Sequence, residues 1–482
     1  MAAIAPLGLT IGMAVATYSV VRYELWIVIT YAVLALALAL ALAASSYGAA
    51  SSYGTQREAA AEPTAPRARR RRRPPLTAGS IALSLALTAV LTDSVHAYTY
   101  LSQDDAELLR DGLSVVGALA ATALLAPRVI RRVPGLPRLP GGMPFARGAD
   151  IALGLAVLGY LVAAVALIRL DRAPRIDVWV MLQQAADAIG DGRNIYTQQW
   201  TGSPGVQDAF TYLPFTALLL APGRWLAGDV RWALVVLTVA TALVVRALPG
   251  RSAPPIQRVA GAGAAVLLLL LPGTSTQVEQ GWTEPLLLAC LATWALCVQR
   301  GRPWLAVLFL ALGLASKQHL VILLPVLAAW PRFGLRRTLA SAGLAALFVL
   351  PWAVASPSAL WHDTVTVLVD FQPLLFADTL YVAAIHELGW QPPFWLAVVV
   401  VIAVVTWAAI CVRRYADLAM VLRWCALCLL VASLVNKQAF YNQYWLVAAL
   451  VLVSWAAPAR SPQPVQRHVT ARPAAPPTVS AT

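Results

Sequence analysis

The chain has 482 residues, 60% of them hydrophobic and only 12% charged, against roughly a quarter charged in soluble globular domains. That excludes an ordinary soluble domain, and the continuous Leu/Ala/Val-rich runs exclude a transmembrane barrel, whose strands alternate over about ten residues. The net charge of +14 does not point to nucleic acid, because the basic residues sit in short loops between apolar runs, as the positive-inside rule requires.

Hydropathy predicts an all-α polytopic integral membrane protein with about fourteen transmembrane helices. They fall near 7–21, 25–43, 77–95, 111–127, 149–168, 229–247, 259–272, 283–298, 303–316, 320–331, 338–355, 393–412, 418–435 and 440–457. No small-residue cleavage site follows the first run, which is therefore read as a retained anchor. Residues 1–44 form an N-terminal membrane hairpin, and 45–76, rich in Ala, Pro, Ser and Arg, an expected disordered cytoplasmic linker. Residues 77–148 add a helix pair and a basic loop, 149–457 the main membrane domain, and 458–482 a disordered cytoplasmic tail.

Arg67 and Arg69–Arg73 mark the cytoplasmic side. Alternation from there places the loops around Arg128–Arg147, Arg246–Arg258, Arg300–Arg302, Arg332–Arg337 and Arg413–Arg423 inside as well. The expected location is a multi-pass protein of the cell membrane with both termini cytoplasmic. Phe210–Pro222 is short for a span, and a crossing there would turn the later Arg-rich loops outward, so it is expected to lie at the outer face. Two large outer loops then run over about 171–228 and 356–392. The Cys residues (Cys290, Cys297, Cys411, Cys425, Cys428) all fall in apolar runs and read as packing residues.

Polar chemistry concentrates on the outer face. The chain uses Arg almost everywhere and has only two Lys, Lys317 in Ser316-Lys317-Gln318-His319 and Lys437 in Asn436-Lys437-Gln438. Each is followed by Gln and each falls at an outer helix end. A cation at the membrane interface is a functional-site hypothesis unless it snorkels to water, and two ammonium groups on one face suit a phosphate. Gln318, Gln438 and His319 stand beside them, His319 as a further donor or as a satisfied core histidine. Glu279 and Gln280, in Gln277-Val278-Glu279-Gln280-Gly281-Trp282, put a carboxylate and a carboxamide beside aromatic rings. That is sugar-contacting chemistry, although interfacial belts also collect Trp and Tyr. Asp104 and Asp105 form an acidic pair that also fits a helix start. Arg175, with Arg172, runs against the inside bias and is either a phosphate ligand or a partner for Asp171 and Asp177.

The first large outer loop opens with Ile176-Asp177-Val178-Trp179, continues to Asp191-Gly192-Arg193-Asn194-Ile195-Tyr196, and reaches Phe210-Thr211-Tyr212-Leu213-Pro214. An Asp just past a span, a helix ending in Gly-x-Asn-x-Tyr and then Tyr-x-Pro opening an apolar segment resemble the GT-C class of membrane glycosyltransferases. The closest resemblance is to the family 87 polyprenyl-phosphate-mannose-dependent mannosyltransferases of actinobacteria, over roughly 149–457. This chain has Tyr-Leu-Pro where the family more often has Tyr-Pro-Pro, and about four extra spans precede the matching region.

The resemblance implies a GT-C-like bundle with large outer loops and a polyprenyl-phosphate-linked sugar donor, plausibly mannose. It also implies a lipid or cell-envelope glycan acceptor and no metal or other cofactor. Asp177 becomes the candidate base that deprotonates the acceptor hydroxyl, although Asp before an amphipathic helix is also a common start signal. Lys317, His319, Lys437 and Arg175 are the candidate phosphate ligands. Tyr196, Tyr212, Glu279, Gln280, Gln318 and Gln438 complete the expected substrate site, and membrane lipids are the remaining partner. A secondary transporter or lipid flippase is the alternative, although the paired, broken-helix halves such proteins often show are absent from the hydropathy pattern. A polymer ligase using a lipid-pyrophosphate donor would share the cationic outer site.

Overall fold

In the computed structural model, which describes residues 22–58, 99–130 and 143–458, every regular element among those residues is helical. The expected spans 7–21 and 77–95, most of the Arg-rich linker and nearly all of the tail lie outside the described residues. Three long helices come first: α1 (Leu25–Glu58), α2 (Gln103–Ile130) and α3 (Met143–Leu170). Helix α4 (Asp177–Gly190) crosses the first large loop and leads to α5 (Pro214–Ala227) and α6 (Arg231–Ala247). A compact series follows: α7 (Pro255–Leu270), α8 (Thr274–Glu279), α9 (Glu284–Gln299), α10 (Pro303–Leu314), a 3-10 turn Gln318–Leu323 and α11 (Leu324–Ala329). Helix α12 (Gly334–Ala355) enters the second loop, an arm built from Pro357–Trp361, a π turn His362–Thr366 and Val367–Asp370, then α13 (Leu380–Leu388). The chain closes with α14 (Phe394–Tyr415), α15 (Leu418–Leu434) and α16 (Tyr441–Ala456).

The long helices show why the chain needs a bilayer. Helix α1 exposes Ile29, Val33, Leu36 and Leu40, and α3 exposes Ile151, Leu158, Val162 and Val165. These are apolar stripes at helical spacing, facing away from the protein, where water would be the wrong solvent. Helices α7, α9, α15 and α16 are instead buried over most of their length. Small residues let the helices close up: a Cβ on Gly159 of α3 would stand 2.8 Å from a Val116 methyl of α2, and one on Gly261 of α7 would stand 2.7 Å from Pro249.

The expected count of about fourteen spans is not reached among the described residues. Five helices are long and apolar enough to cross: Leu25–Ser45, Gln103–Leu125, Arg147–Leu170, Gly334–Ala355 and Phe394–Arg413. A sixth appears only if α5 and α6, bent by 113° to each other, form one broken crossing. The runs near 259–272, 283–298, 303–316, 320–331 and 418–435 are helices of 10–17 residues, and that near 440–457 is one of 16. Hydropathy responds to apolar composition, and a short helix enclosed by neighbours is as apolar as a crossing one. Glycine and proline cut these runs. Gly273, at φ +83°, breaks the chain between α7 and α8, and a Cβ there would overlap the Tyr441 ring. The segment 210–222, expected at the outer face, leads into α5, which turns by 113° into α6.

The N-terminal helix is part of the same body. Helix α1 packs on α14 and α15, Tyr31 stacks on Tyr444 with ring centres 3.9 Å apart, and Tyr23 donates to the Glu387 carboxylate at 3.0 Å. It also continues to Glu58, into a stretch expected to be linker. The bundle has two chemically distinct ends. Arg246 and Arg300 stand at the C-terminal ends of α6 and α9, where Arg246 pairs with Asp150 at 2.7 Å and Arg300 donates to the Ala247 carbonyl. The opposite end gathers the loops that carry the candidate site.

Candidate functional site

The Gly-x-Asn-x-Tyr and Tyr-x-Pro segments form one physical unit. The Asn194 side-chain oxygen accepts from the Tyr196 amide at 3.1 Å and closes the 3-10 turn Ile195–Thr197. The buried Tyr196 hydroxyl then donates to the Tyr212 carbonyl at 2.9 Å. Beyond it, the Leu213 and Phe215 amides donate to the Ser316 and Ala315 carbonyls at 3.1 Å each, and the Thr216 hydroxyl donates to the Ser316 carbonyl at 2.5 Å. Segment 212–216 is thereby stitched to the end of α10, immediately before Lys317, and the Tyr212 ring is set under the lysine.

Lys317 is held from three sides. Its ammonium lies 2.6 Å from a carboxylate oxygen of the fully buried Glu284 and 3.2 Å from the Thr283 hydroxyl. It also stands 5.3 Å from the centre of the Tyr212 ring. An ammonium has three N–H donors. Two are engaged, and the third faces an aromatic ring, a contact worth only about 0.5–2 kcal/mol and exchangeable for an anionic oxygen. His319 lies within reach of the Lys317 and Glu284 charges, and burial together with the neighbouring ammonium pushes its imidazole down to about 3. It is a neutral ring, with one N–H to give.

Asp177 is the first residue of α4, with Ile176 at the cap position and no side-chain cap bond. Its role as a cap is therefore not what the structure shows. Burial raises its carboxyl above the usual aspartate range, opposed by the amides of Val178 and Val206. Gly205 lies against it: a Cβ there would come within 2.6 Å of an Asp177 carboxylate oxygen. Tyr212 lies in the field of both the Asp177 and the Glu284 carboxylates, so both stand near the ring that underlies Lys317. Helix α4 is held by a buried cluster in which the Trp179 indole donates to Asp229 at 3.2 Å. Asp229 pairs with the fully buried Arg231 at 2.8 Å, and Arg231 reaches the Asp171 carbonyl at 2.7 Å.

The other expected residues divide. Gln318 joins the site by donating to the carbonyls of Thr211 and Thr364, each at 3.0 Å. Lys437 does not share a partner with Lys317: its ammonium donates to the Val369 carbonyl at 2.6 Å and lies 5.6 Å from the Phe394 ring centre. The two expected phosphate ligands thus meet different partners, Lys317 the Glu284 carboxylate and Lys437 the 357–370 arm. Gln438 is half-buried. Arg175 is exposed, and its carbonyl accepts from the Tyr100 hydroxyl at 3.1 Å. Asp105 accepts from Ser102 at 2.6 Å in the first turn of α2, as a helix start would.

Glu279 and Gln280 are buried and paired with each other at 3.1 Å. Glu279 also accepts the amides of Thr99 at 2.6 Å and Tyr100 at 2.9 Å, tying the entry of α2 to the site. Burial raises its carboxyl from 4.5 to about 7, against the lowering effect of those hydrogen bonds. A folded state that holds the proton more tightly than the unfolded chain is favoured most below the unfolded value, and loses that advantage as pH rises through the folded one. Thermal melting of the purified protein is expected to fall between about pH 4.5 and 7 and then level. Glu279→Gln should flatten that dependence, and an unchanged slope in the variant would assign it elsewhere.

Sequence reasoning missed Glu284 and Thr283; the Asn442 amide, in the polar-aromatic segment 441–445 that the sequence marks, faces the Glu284 carboxylate. It also missed Asp363, which accepts from the Phe210 amide at 2.7 Å and pairs with His362 at 3.0 Å. An ionisable residue opening an apolar run was the available signal for Glu284. Asp363 gave none, since its partner is 153 residues away.

A carboxylate with raised basicity and an ammonium with a spare donor, both near one aromatic ring, can together deprotonate a hydroxyl and hold an anionic leaving group. No curated protein matches the chain. Residues 210–436, which include Tyr212, Glu284, Lys317, His319 and the 357–370 arm, match the model of glycosyltransferase family 87. Over that region the chain is similar to the membrane glycosyltransferases of family 87.

Proposed function

We propose that this glycosyltransferase moves a hexose, with mannose the sugar the resemblance favours, from a polyprenyl-phosphate donor to a glycan or lipid acceptor at the outer face of the cell membrane. The observation that carries the reading is Lys317, a nearly buried ammonium with a donor to spare, set over the Tyr212 ring, which also feels the charge of the half-buried Asp177 carboxylate. The donor's phosphate would replace the ring as the third partner of Lys317, with Thr283 and the neutral His319 as further donors. Lys437 and Gln318 serve to hold the 357–370 arm in place.

In the reaction an acceptor hydroxyl oxygen attacks the anomeric carbon of the donor sugar. The new C–O bond forms as the bond from that carbon to the phosphate oxygen breaks. The hydroxyl proton passes to Asp177, and polyprenyl phosphate departs with the bonding electron pair. A raised carboxyl is a better base near neutral pH than an ordinary one, and the ammonium offsets charge as it develops on the leaving oxygen. No nucleotide enters, since the sugar arrives already activated on lipid.

The direct test is transfer of radiolabel from polyprenyl-phosphate mannose into a lipid or glycan product in membranes containing the protein. Label should appear in product with the protein and stay in the donor without it. Equal incorporation in both membranes overturns the donor assignment.

A further inference from the structure

We infer that the acceptor's sugar moiety binds in a cleft between the 199–208 loop and the 357–370 arm, on the other side of Gly205 from the base. This rests on the reading of the site as a lipid-donor glycosyltransferase and assigns its second substrate. The cleft measures about 670 Å³, within the roughly 300–1,000 Å³ of small-molecule sites. Its chemistry differs from that around Lys317. Of the side chains lining it, Asp208 alone is charged, and the neighbouring Asp363 carboxylate adds to the same negative field. An anionic phosphate is repelled there, and a neutral ligand is not.

The remaining groups suit a polyol. Gln199 and Thr201 are exposed and offer a carboxamide and a hydroxyl, which can give and accept hydrogen bonds at once. Phe371 provides an apolar face for the C–H side of a pyranose. Trp200, on the cleft wall and 1% exposed, has an indole N–H with no acceptor among the described residues, and a buried orphan donor of this kind calls for a partner. The cleft also adjoins the base: Gly205 lines it and packs directly on the Asp177 carboxylate. Donor phosphate and acceptor sugar therefore approach from opposite sides of Asp177, one from a cationic site and one from a neutral-to-acidic cleft.

The test uses the full chain in lipid nanodiscs, with methyl α-mannopyranoside as the probe and saturation-transfer NMR as the readout. The wild type should give a signal that Phe371→Ala and Gln199→Ala each reduce by roughly fivefold, the worth of one lost contact of about 1 kcal/mol. Lys317→Met/Glu284→Gln should leave the signal unchanged. In transfer assays Phe371→Ala should raise the acceptor KM and not the donor KM. No signal from the wild type, or undiminished signals from both single variants, overturns the cleft while leaving the donor reading standing. A signal that falls as expected in membranes that never transfer label from polyprenyl-phosphate mannose sinks the donor reading and leaves the cleft as a sugar site.

Discussion

Asp177→Asn is expected to retain the fold and donor binding and to lose transfer by about 10²–10⁴-fold in kcat, the usual worth of a positioned general base. The change keeps the shape at the start of α4 and removes only the capacity to accept a proton. The fold should survive, because α4 is held by the Trp179–Asp229–Arg231 cluster and not by a cap from Asp177. The pH profile supplies the second readout. The base works when ionised, and burial raises its carboxyl above 3.8, so wild-type kcat/KM should fall as pH drops through a value higher than an ordinary aspartate's. That acid limb should be missing from whatever activity the variant retains. Gly205→Ala probes position without touching the carboxylate's chemistry: its Cβ would stand 2.6 Å from an Asp177 oxygen, forcing the base aside and lowering kcat with little change in donor KM. A variant at position 177 with full activity would remove Asp177 from the mechanism.

The membrane class and the local motifs of the candidate site were legible for different reasons. Composition alone forced helices in lipid, since the stripes on α1 and α3 are apolar enough to read without a partner. The Tyr196 and Tyr212 segments stand close in sequence, and the structure joins them in a hydrogen-bonded unit ending under Lys317. Where the reading depended on what packs opposite, it ran out. Lys317 and Lys437 look alike in sequence, each followed by Gln, yet one meets Glu284 and the other the Val369 carbonyl. Glu284 was passed over because Glu-Pro before an apolar run reads as an ordinary helix start; its partner lies 33 residues on. The span count is not reached among the described residues on the same ground, since run length alone does not separate a long exposed helix from a short enclosed one such as α9. The segment 46–58, expected to be disordered, continues α1, as extension of a formed helix allows.

The largest stability effect is expected at Lys317, where it must be separated from the effect on the donor. Lys317→Met leaves the Glu284 carboxylate, fully buried and paired at 2.6 Å, without its counter-charge. Breaking such a pair from one side costs about 3–5 kcal/mol, enough to lower the melting temperature and the yield of folded protein. Lost activity in that variant alone would therefore say little about phosphate. The double variant Lys317→Met/Glu284→Gln removes both charges and keeps both volumes, and a neutral replacement of a buried ion pair is often close to neutral for stability. Most of the lost stability should return. Donor binding should not return, because the ammonium that would meet the phosphate is gone; a hydrogen bond to a charged group is worth about 1.5–3 kcal/mol, or roughly 10–150-fold in donor affinity. Lys437→Ala provides the contrast: its ammonium is committed to the Val369 carbonyl, so donor KM should hold near the wild-type value. If the double variant folds and binds polyprenyl-phosphate sugar as the wild type does, Lys317 is a structural cation. The phosphate must then be held by other residues, and weakened binding in Lys437→Ala would point to the second lysine.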